Sequence, residues 1–155
     1  MRAIVFDQTG YFYFVQIHRD DEFGQSVSIE TAGGGVEKGE RLVEALRREM
    51  KEELGMEVAI LCKLGVVEDD YHLICRHNIN HYFLCKVLHQ GERQLTVAEK
   101  ERWQLSTLKL SFDQAMQAYE TNRLTPFGRL VSNREVPILR YAKEIIDEQK
   151  LFGNK

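Results

Sequence analysis

Gly33-Gly34-Gly35-Val36-Glu37-Lys38-Gly39-Glu40-Arg41-Leu42-Val43-Glu44-Ala45-Leu46-Arg47-Arg48-Glu49-Met50-Lys51-Glu52-Glu53-Leu54-Gly55-Met56 is the stretch around which the rest of the chain is organised. Four of its first eight residues are glycine, which allows close backbone approach to a ligand and predicts a loop. From Glu40 to Leu54 neither Gly nor Pro interrupts a run of good helix formers. Gly55 then offers a left-handed C-cap. Leu42, Leu46, Met50 and Leu54 recur every four residues and form an apolar stripe that faces a core.

At about 100° per residue, Glu53 lies about 40° and Glu52 about −60° from Glu49, so their carboxylates share one arc beside the stripe. An acidic run of this kind is compatible with a plain solvated helix face, because like charges one turn apart cost only about 0.2–0.5 kcal/mol per pair. The glycine loop immediately upstream favours a ligand site. Hard divalent cations such as Mg²⁺ take one or two carboxylates together with substrate phosphates, and loop backbone groups can complete the cradle.

The spacing is more specific than either feature. Gly34, five residues, Glu40, seven residues, Arg48-Glu49-Met50, Lys51, Glu52-Glu53, Leu54, Gly55-Met56 resembles the Nudix box, G-x5-E-x7-R-E-U-x-E-E-x-G-U with U a bulky aliphatic residue, at every position. The box spans 23 of 155 residues, so the resemblance speaks to reaction class more than to substrate. It implies a three-layer α/β/α sandwich with a mixed central β-sheet. It also implies Mg²⁺ or Mn²⁺ held by Glu49, Glu52, Glu53 and the carbonyl of Gly33. Arg48 would orient Glu49, Glu40 would tie the loop to the helix, and Glu49 would be a candidate to activate water. Gly34 and Gly35 would border the substrate phosphates. One departure is Ala32, which stands where a proline often precedes the glycines.

Length and composition set the frame. A chain of 155 residues reads as one domain over 1–155, and 43% hydrophobic residues are enough to build a core. With 21 basic and 24 acidic side chains the formal charge is −3, so no basic surplus calls for nucleic acid or an anionic membrane. Cys62, Cys75 and Cys85 form no CxxC and are odd in number, which predicts a reducing compartment. Met1 to Phe6 turns polar too soon for a signal sequence, and no apolar run nears a membrane span. The expectation is a cytoplasmic protein acting on a small-molecule nucleotide, with a homodimer left open.

Outward from the box, Ala3–Phe6 and Tyr11–His18 predict a hairpin around Asp7-Gln8-Thr9-Gly10. Residues 18–24 read as a polar loop in which His18 or Arg19 could meet a substrate phosphate, and Ser26–Thr31 as a short strand delivering the glycines. Met56–Val67 and Asn80–Leu88 predict strands, with residues 68–81 as a connecting loop. His72, Cys75, His77 and His81 in that loop match no common zinc spacing. Among Glu92, Glu99 and Glu101, Glu99 is the choice for a further ligand or general base, and Trp103 is expected to pack rather than stack on a base. Ser111 and Gln114 form a capping box for one helix, residues 125–128 read as a connection, and a last helix is expected to start near Pro137. The tail 151–155 is expected to fray.

The resemblance further implies hydrolysis of a nucleoside diphosphate linked to another group. Pro126 and Pro137 are the prolines present, so the ADP-ribose subgroup's downstream proline is missing, while Tyr71 falls near the tyrosine of diadenosine polyphosphate hydrolases. MutT-like cleavage of a free (d)NTP to NMP and pyrophosphate ranks first for a compact chain. Diadenosine polyphosphates and nucleotide sugars follow, then a nucleotide-sensing module without turnover. A sensor would be expected to lose a box carboxylate, and none is lost here.

Overall fold

The computed structural model describes residues 1–21, 24–101 and 105–153, with all their side chains except those of Arg19, Asp21, Ser26, Leu73 and Ala98. The first turn shows how local chemistry sets the topology. Asp7 Oδ1 accepts hydrogen bonds from the Thr9 amide at 2.8 Å and the Tyr11 amide at 3.2 Å, and Gly10 adopts φ +95°. That folds β1 (Arg2–Phe6) antiparallel onto β2 (Phe12–Asp21), with Val5 opposite Tyr13. β3 (Gly24–Glu30) returns along β2, and β4 (Ala32–Gly33) crosses back to pair with the start of β1. A long hairpin of β5 (Met56–Tyr71) and β6 (Arg76–Gln90) adds the far edge, β6 lying parallel to β1. β7 (Ser106–Leu110) pairs with β2, so the central path runs β3-β2-β1-β6-β5 in a mixed sheet.

Alternation along β1 sends its side chains to two cores. Ala3 and Val5 pack with Leu46, Met50 and Phe83 beneath α1 (Leu42–Glu49). Ile4 and Phe6 pack with Phe12, Tyr119, Leu139 and Ile146 beneath α3 (Phe112–Asn122) and α4 (Pro126–Glu148). The three layers implied by the box are therefore present, and each fully buried Phe or Leu contributes about 1.5–3 kcal/mol. α2 (Val97–Glu101) is a short turn of helix between β6 and β7. No helix among the described residues is long and apolar enough to cross a membrane.

Several expected boundaries move. Of the polar segment 18–24, the described residues 18–21 and 24 are strand, because Asp20 and Asp21 pair with Gln25 and Gly24 regardless of their side chains; residues 22 and 23 lie outside the described residues. Residues 68–81 are not a loop but the outer half of the β5–β6 hairpin, with register running to Tyr71 opposite Arg76. The last helix starts at Pro126 rather than near Pro137. Thr125 Oγ1 caps it by accepting from the Gly128 amide at 3.1 Å, and Pro126 fits its first turn. Pro137 lies inside the helix, which buried Val131, Val136 and Leu139 hold on the core through the missing hydrogen bond. The tail does not fray as far as Gly153. Phe152 meets Phe6 edge-on at 5.8 Å, and the Gly153 amide donates to Gln8 O at 3.0 Å.

Candidate active site

The site is built where β4 ends and α1 begins. Gly33 lies opposite Arg2, and its amide donates to Glu53 Oε2 at 2.9 Å; the Gly34 amide donates to Met1 O at 3.0 Å. Loop and helix touch there. A Cβ on Gly34 would lie 2.6 Å from Glu49 Cδ, so only glycine lets the carboxylate reach its position.

The helix departs from a uniform α-helical wheel. After Glu49 the chain widens into a π turn over Met50–Leu54, closed by Gly55 at φ +67°. An extra residue in the turn keeps Glu49 and Glu53 near one meridian and sets Glu52 further round than α-helical spacing gives. Glu40 and Arg41 precede the helix, with Arg41 as its N-cap. Leu46, Met50 and Leu54 are buried, as the stripe requires.

Arg48 fastens the loop to the helix. Its Nε and Nη2 donate to the two Glu40 oxygens at 2.9 and 3.0 Å, and Nη2 also donates to Gly35 O at 3.1 Å. Its Nη1 donates to Glu49 Oε1 at 2.8 Å and to Glu52 Oε2 at 3.3 Å, so Glu52 lies across Arg48 from Glu49.

Glu49, Glu53 and Glu99 are all buried, and each offers a carboxylate oxygen within 4.8 Å of the others'. Glu99 reaches this place from α2, where its Oε2 accepts the Thr96 amide at 2.7 Å in a capping arrangement. Burial drives the Glu53 carboxyl up to about 8 against the pull of the Gly33 amide, and burial also raises Glu49 despite Arg48. Clustered carboxylates under this strain need positive charge, and an oxygen-only donor set of this kind suits a hard divalent cation. The residues therefore fit Mg²⁺ or Mn²⁺.

The carboxylates line one side of a cavity of about 610 Å³, within the usual range for a small-molecule site. Its other wall holds residues that the sequence reading did not single out: Arg2, Glu30, Asn78, Asn80 and Arg134. Arg2 pairs with Glu30 at 3.1 Å, and Arg134 Nη1 reaches Asp69 at 2.8 Å and Tyr71 Oη at 2.7 Å. One signal for this wall existed. Asn78 and Asn80 alternate in step with buried Tyr82 and Leu84, which marks polar side chains on an inward strand face.

The expected site residues are thus placed unevenly. Gly33, Gly34, Gly35, Glu49, Glu53, Glu99 and Tyr71 line one cavity. Glu92 and Glu101 are exposed. The Arg19 side chain and Trp103 lie outside the described residues. His77 bonds Asp70 at 2.7 Å on the hairpin surface, where His72 and Cys75 are also exposed.

A family model described as the NUDIX domain matches residues 1–129. Among solved structures, a NUDIX hydrolase from Nitrosomonas europaea is similar at TM-score 0.63 and 18% identity over 77% of this chain and 75% of that one. The solution structure of the E. coli ORF135 protein is similar at TM-score 0.59 and 23% identity, covering 94% and 87% of the two chains. The crystal structure of UDP-X diphosphatase follows at TM-score 0.60 and 19% identity; the match covers 92% of this chain but 61% of that one. At these identities the structures show a shared fold. No curated protein matches the sequence.

Proposed function

This chain belongs to the NUDIX domain family and is a pyrophosphohydrolase; we propose that it cleaves a nucleoside triphosphate to a nucleoside monophosphate and pyrophosphate in the MutT manner. The observation that carries this reading is the buried trio Glu49, Glu53 and Glu99 set against the Gly33–Gly35 loop. Glu49, Glu53, Glu99 and the Gly33 carbonyl would hold Mg²⁺ or Mn²⁺, with Glu52 joining them from across Arg48. When bound, such an ion supplies the charge that neutralises the pyrophosphate and polarises its phosphorus.

The chain's own groups do the rest. Arg48 fixes Glu49 by one oxygen, and the Thr96 amide fixes Glu99 by one oxygen. In this reading one of these two carboxylates takes a proton from the attacking water as its oxygen bonds to phosphorus and the bond to the leaving pyrophosphate breaks. The Arg48–Glu40 clamp, with Arg48 also bonded to Gly35 O, holds the glycine loop against the helix that carries Glu49.

A nucleotide sugar is the second reading, favoured by likeness to a structure named as a UDP-X diphosphatase. Free Cys62, Cys75 and Cys85 suit a cytoplasmic setting.

Chromatographic product analysis tests the proposal, with Mg²⁺ or Mn²⁺ against nucleoside triphosphates, diadenosine polyphosphates, nucleotide sugars and ADP-ribose. Glu52→Gln serves as the control. Metal-dependent release of monophosphate and pyrophosphate that the variant loses supports the reading. Binding without turnover across the panel would make the chain a nucleotide sensor.

A further inference from the structure

Glu49 and Glu53 lie on one continuous helix, whereas Glu99 arrives from the five-residue α2 in the segment between β6 and β7. A helix that short does not hold itself in place, so the position of Glu99 depends on what ties its segment down. The last carbonyls of a helix have no partner within it. At the end of the π turn, Glu52 O accepts from the Gln94 amide at 3.0 Å and Gly55 O from the Gly91 amide at 2.6 Å. The contact is close. A Cβ on Gly55 would lie 2.5 Å from Gly91 O and 2.9 Å from Arg93 N.

Arg93 thus has its backbone against the end of the turn that carries Glu53, and its side chain reaches the other way. Its Nη1 donates to Leu105 O at 2.9 Å, and the Leu105 amide donates to Glu99 O at 2.9 Å. Leu105 itself is buried in the core beneath α1. A single anchored residue therefore separates the guanidinium from the backbone of Glu99. A bond from a charged donor to a carbonyl is stronger than a neutral one. The two ties on Glu99 do different things: the Thr96 amide, 2.7 Å from Oε2, sets the direction of the carboxylate on α2, and the Arg93–Leu105 bond sets where α2 stands.

We propose that Arg93 is the positioning residue for the third carboxylate: by bridging from the π turn to Leu105 it fixes Glu99 relative to Glu53, and with it the affinity for the divalent cation. Without the bond to Leu105, α2 keeps its cap but loses an anchor. Glu49 and Glu53 then face the ion with the third ligand displaced. The inference rests on the reading that Glu99 is an ion ligand, and deepens it by naming the residue that places Glu99.

The test is titration calorimetry of the full chain with Mn²⁺, together with a thermal melt in chelator. Arg93→Met keeps the aliphatic stem and removes the donor, while Arg93→Lys keeps a donor for Leu105 O. Groups that orient metal ligands are typically worth about 10–100-fold in affinity, so Arg93→Met is expected to raise the Mn²⁺ dissociation constant about tenfold or more, and Arg93→Lys no more than about threefold. In a Glu99→Gln background, Arg93→Met is expected to add less than about twofold, because a residue that acts through another has no independent effect. Both Arg93 variants are expected to melt near wild type in chelator, since the side chain is exposed. If Glu99→Gln weakens Mn²⁺ binding and Arg93→Met does not, the proposal is overturned while the ion reading stands. No Mn²⁺ uptake by the wild type, or an unchanged affinity in Glu99→Gln, ends the ion reading and the proposal with it. Equal losses from Arg93→Met in both backgrounds, a large drop in its melting temperature, or a lysine variant no better than the methionine one would make Arg93 a general support of the fold and overturn the proposal.

Discussion

Gly34 and Glu49 approach so closely that a Cβ on the glycine would lie 2.6 Å from the Glu49 carboxyl carbon. The neighbour that must yield is the end of a flexible side chain, so relief is cheap for the fold and damaging for the site. Gly34→Ala is therefore expected to lower kcat/KM by about 100-fold, the scale of a displacement near 1 Å at a reacting centre, with a melting temperature close to wild type. Steady-state kinetics and a thermal melt on one preparation check both halves. A full-activity variant would mean that Glu49 works from a different position.

Burial pushes the Glu53 carboxyl up to about 8. At neutral pH a carboxyl raised this far is largely protonated, so Gln replaces one neutral group with another, and its amide oxygen can still accept from the Gly33 amide. Glu53→Gln should thus melt no lower than wild type in metal-free buffer, yet lose turnover by about 100-fold or more as a ligand disappears. A large drop in melting temperature would show that Glu53 is needed for folding rather than for the ion.

Glu135 on α4 holds the strand that delivers the glycine loop. Its carboxylate accepts from the Thr31 amide at 2.9 Å, from Tyr82 Oη at 3.2 Å, from Tyr119 Oη at 3.4 Å and from the Thr31 hydroxyl, and it is fully buried. Glu135→Ala leaves several buried donors unpaired and is expected to cost about 3 kcal/mol or more in a denaturant titration. Glu135→Gln keeps most acceptors and should cost less. Equal losses in the two variants would point to packing volume instead.

Glu135 also marks the boundary of what the sequence disclosed. The box was legible because its chemistry is local: Gly34, Glu40, Arg48 and Glu49 meet through one loop and one helix, and their spacing encodes the meeting. The opposite wall is not local. Arg134 meets Asp69 and Tyr71 across 65 and 63 residues, through a helix whose interior Pro137 disguises its start at Pro126. The shift of Glu52 was hidden for another reason, since the π turn depends on how Met50 and Leu54 settle in the core. β7 went unassigned because Ser-Thr-Leu-Lys-Leu has weak strand character and is fixed by pairing with β2.

Leu46 tests the core under the site. It is fully buried between α1 and the sheet, among Ala3, Val5 and Met50. Leu46→Ala is expected to destabilise the fold by about 2–5 kcal/mol in denaturant unfolding. A loss well under that range would mean that the helix closes over the cavity and that the carboxylates have room to move.

Metal binding should register in stability before any substrate is added. Glu49, Glu53 and Glu99 converge only in the folded chain, since they come from α1, the π turn and α2. An ion that binds this arrangement and not the unfolded chain adds about 2.7 kcal/mol at a hundredfold excess over its dissociation constant. Melting in excess Mg²⁺ or Mn²⁺ is therefore expected several degrees above melting in a chelator. Glu53→Gln should lose most of that increment, because it removes one buried ligand and keeps the fold. An increment of the same size in the variant would place the ion elsewhere on the surface, and the buried trio would then act in proton transfer without holding it.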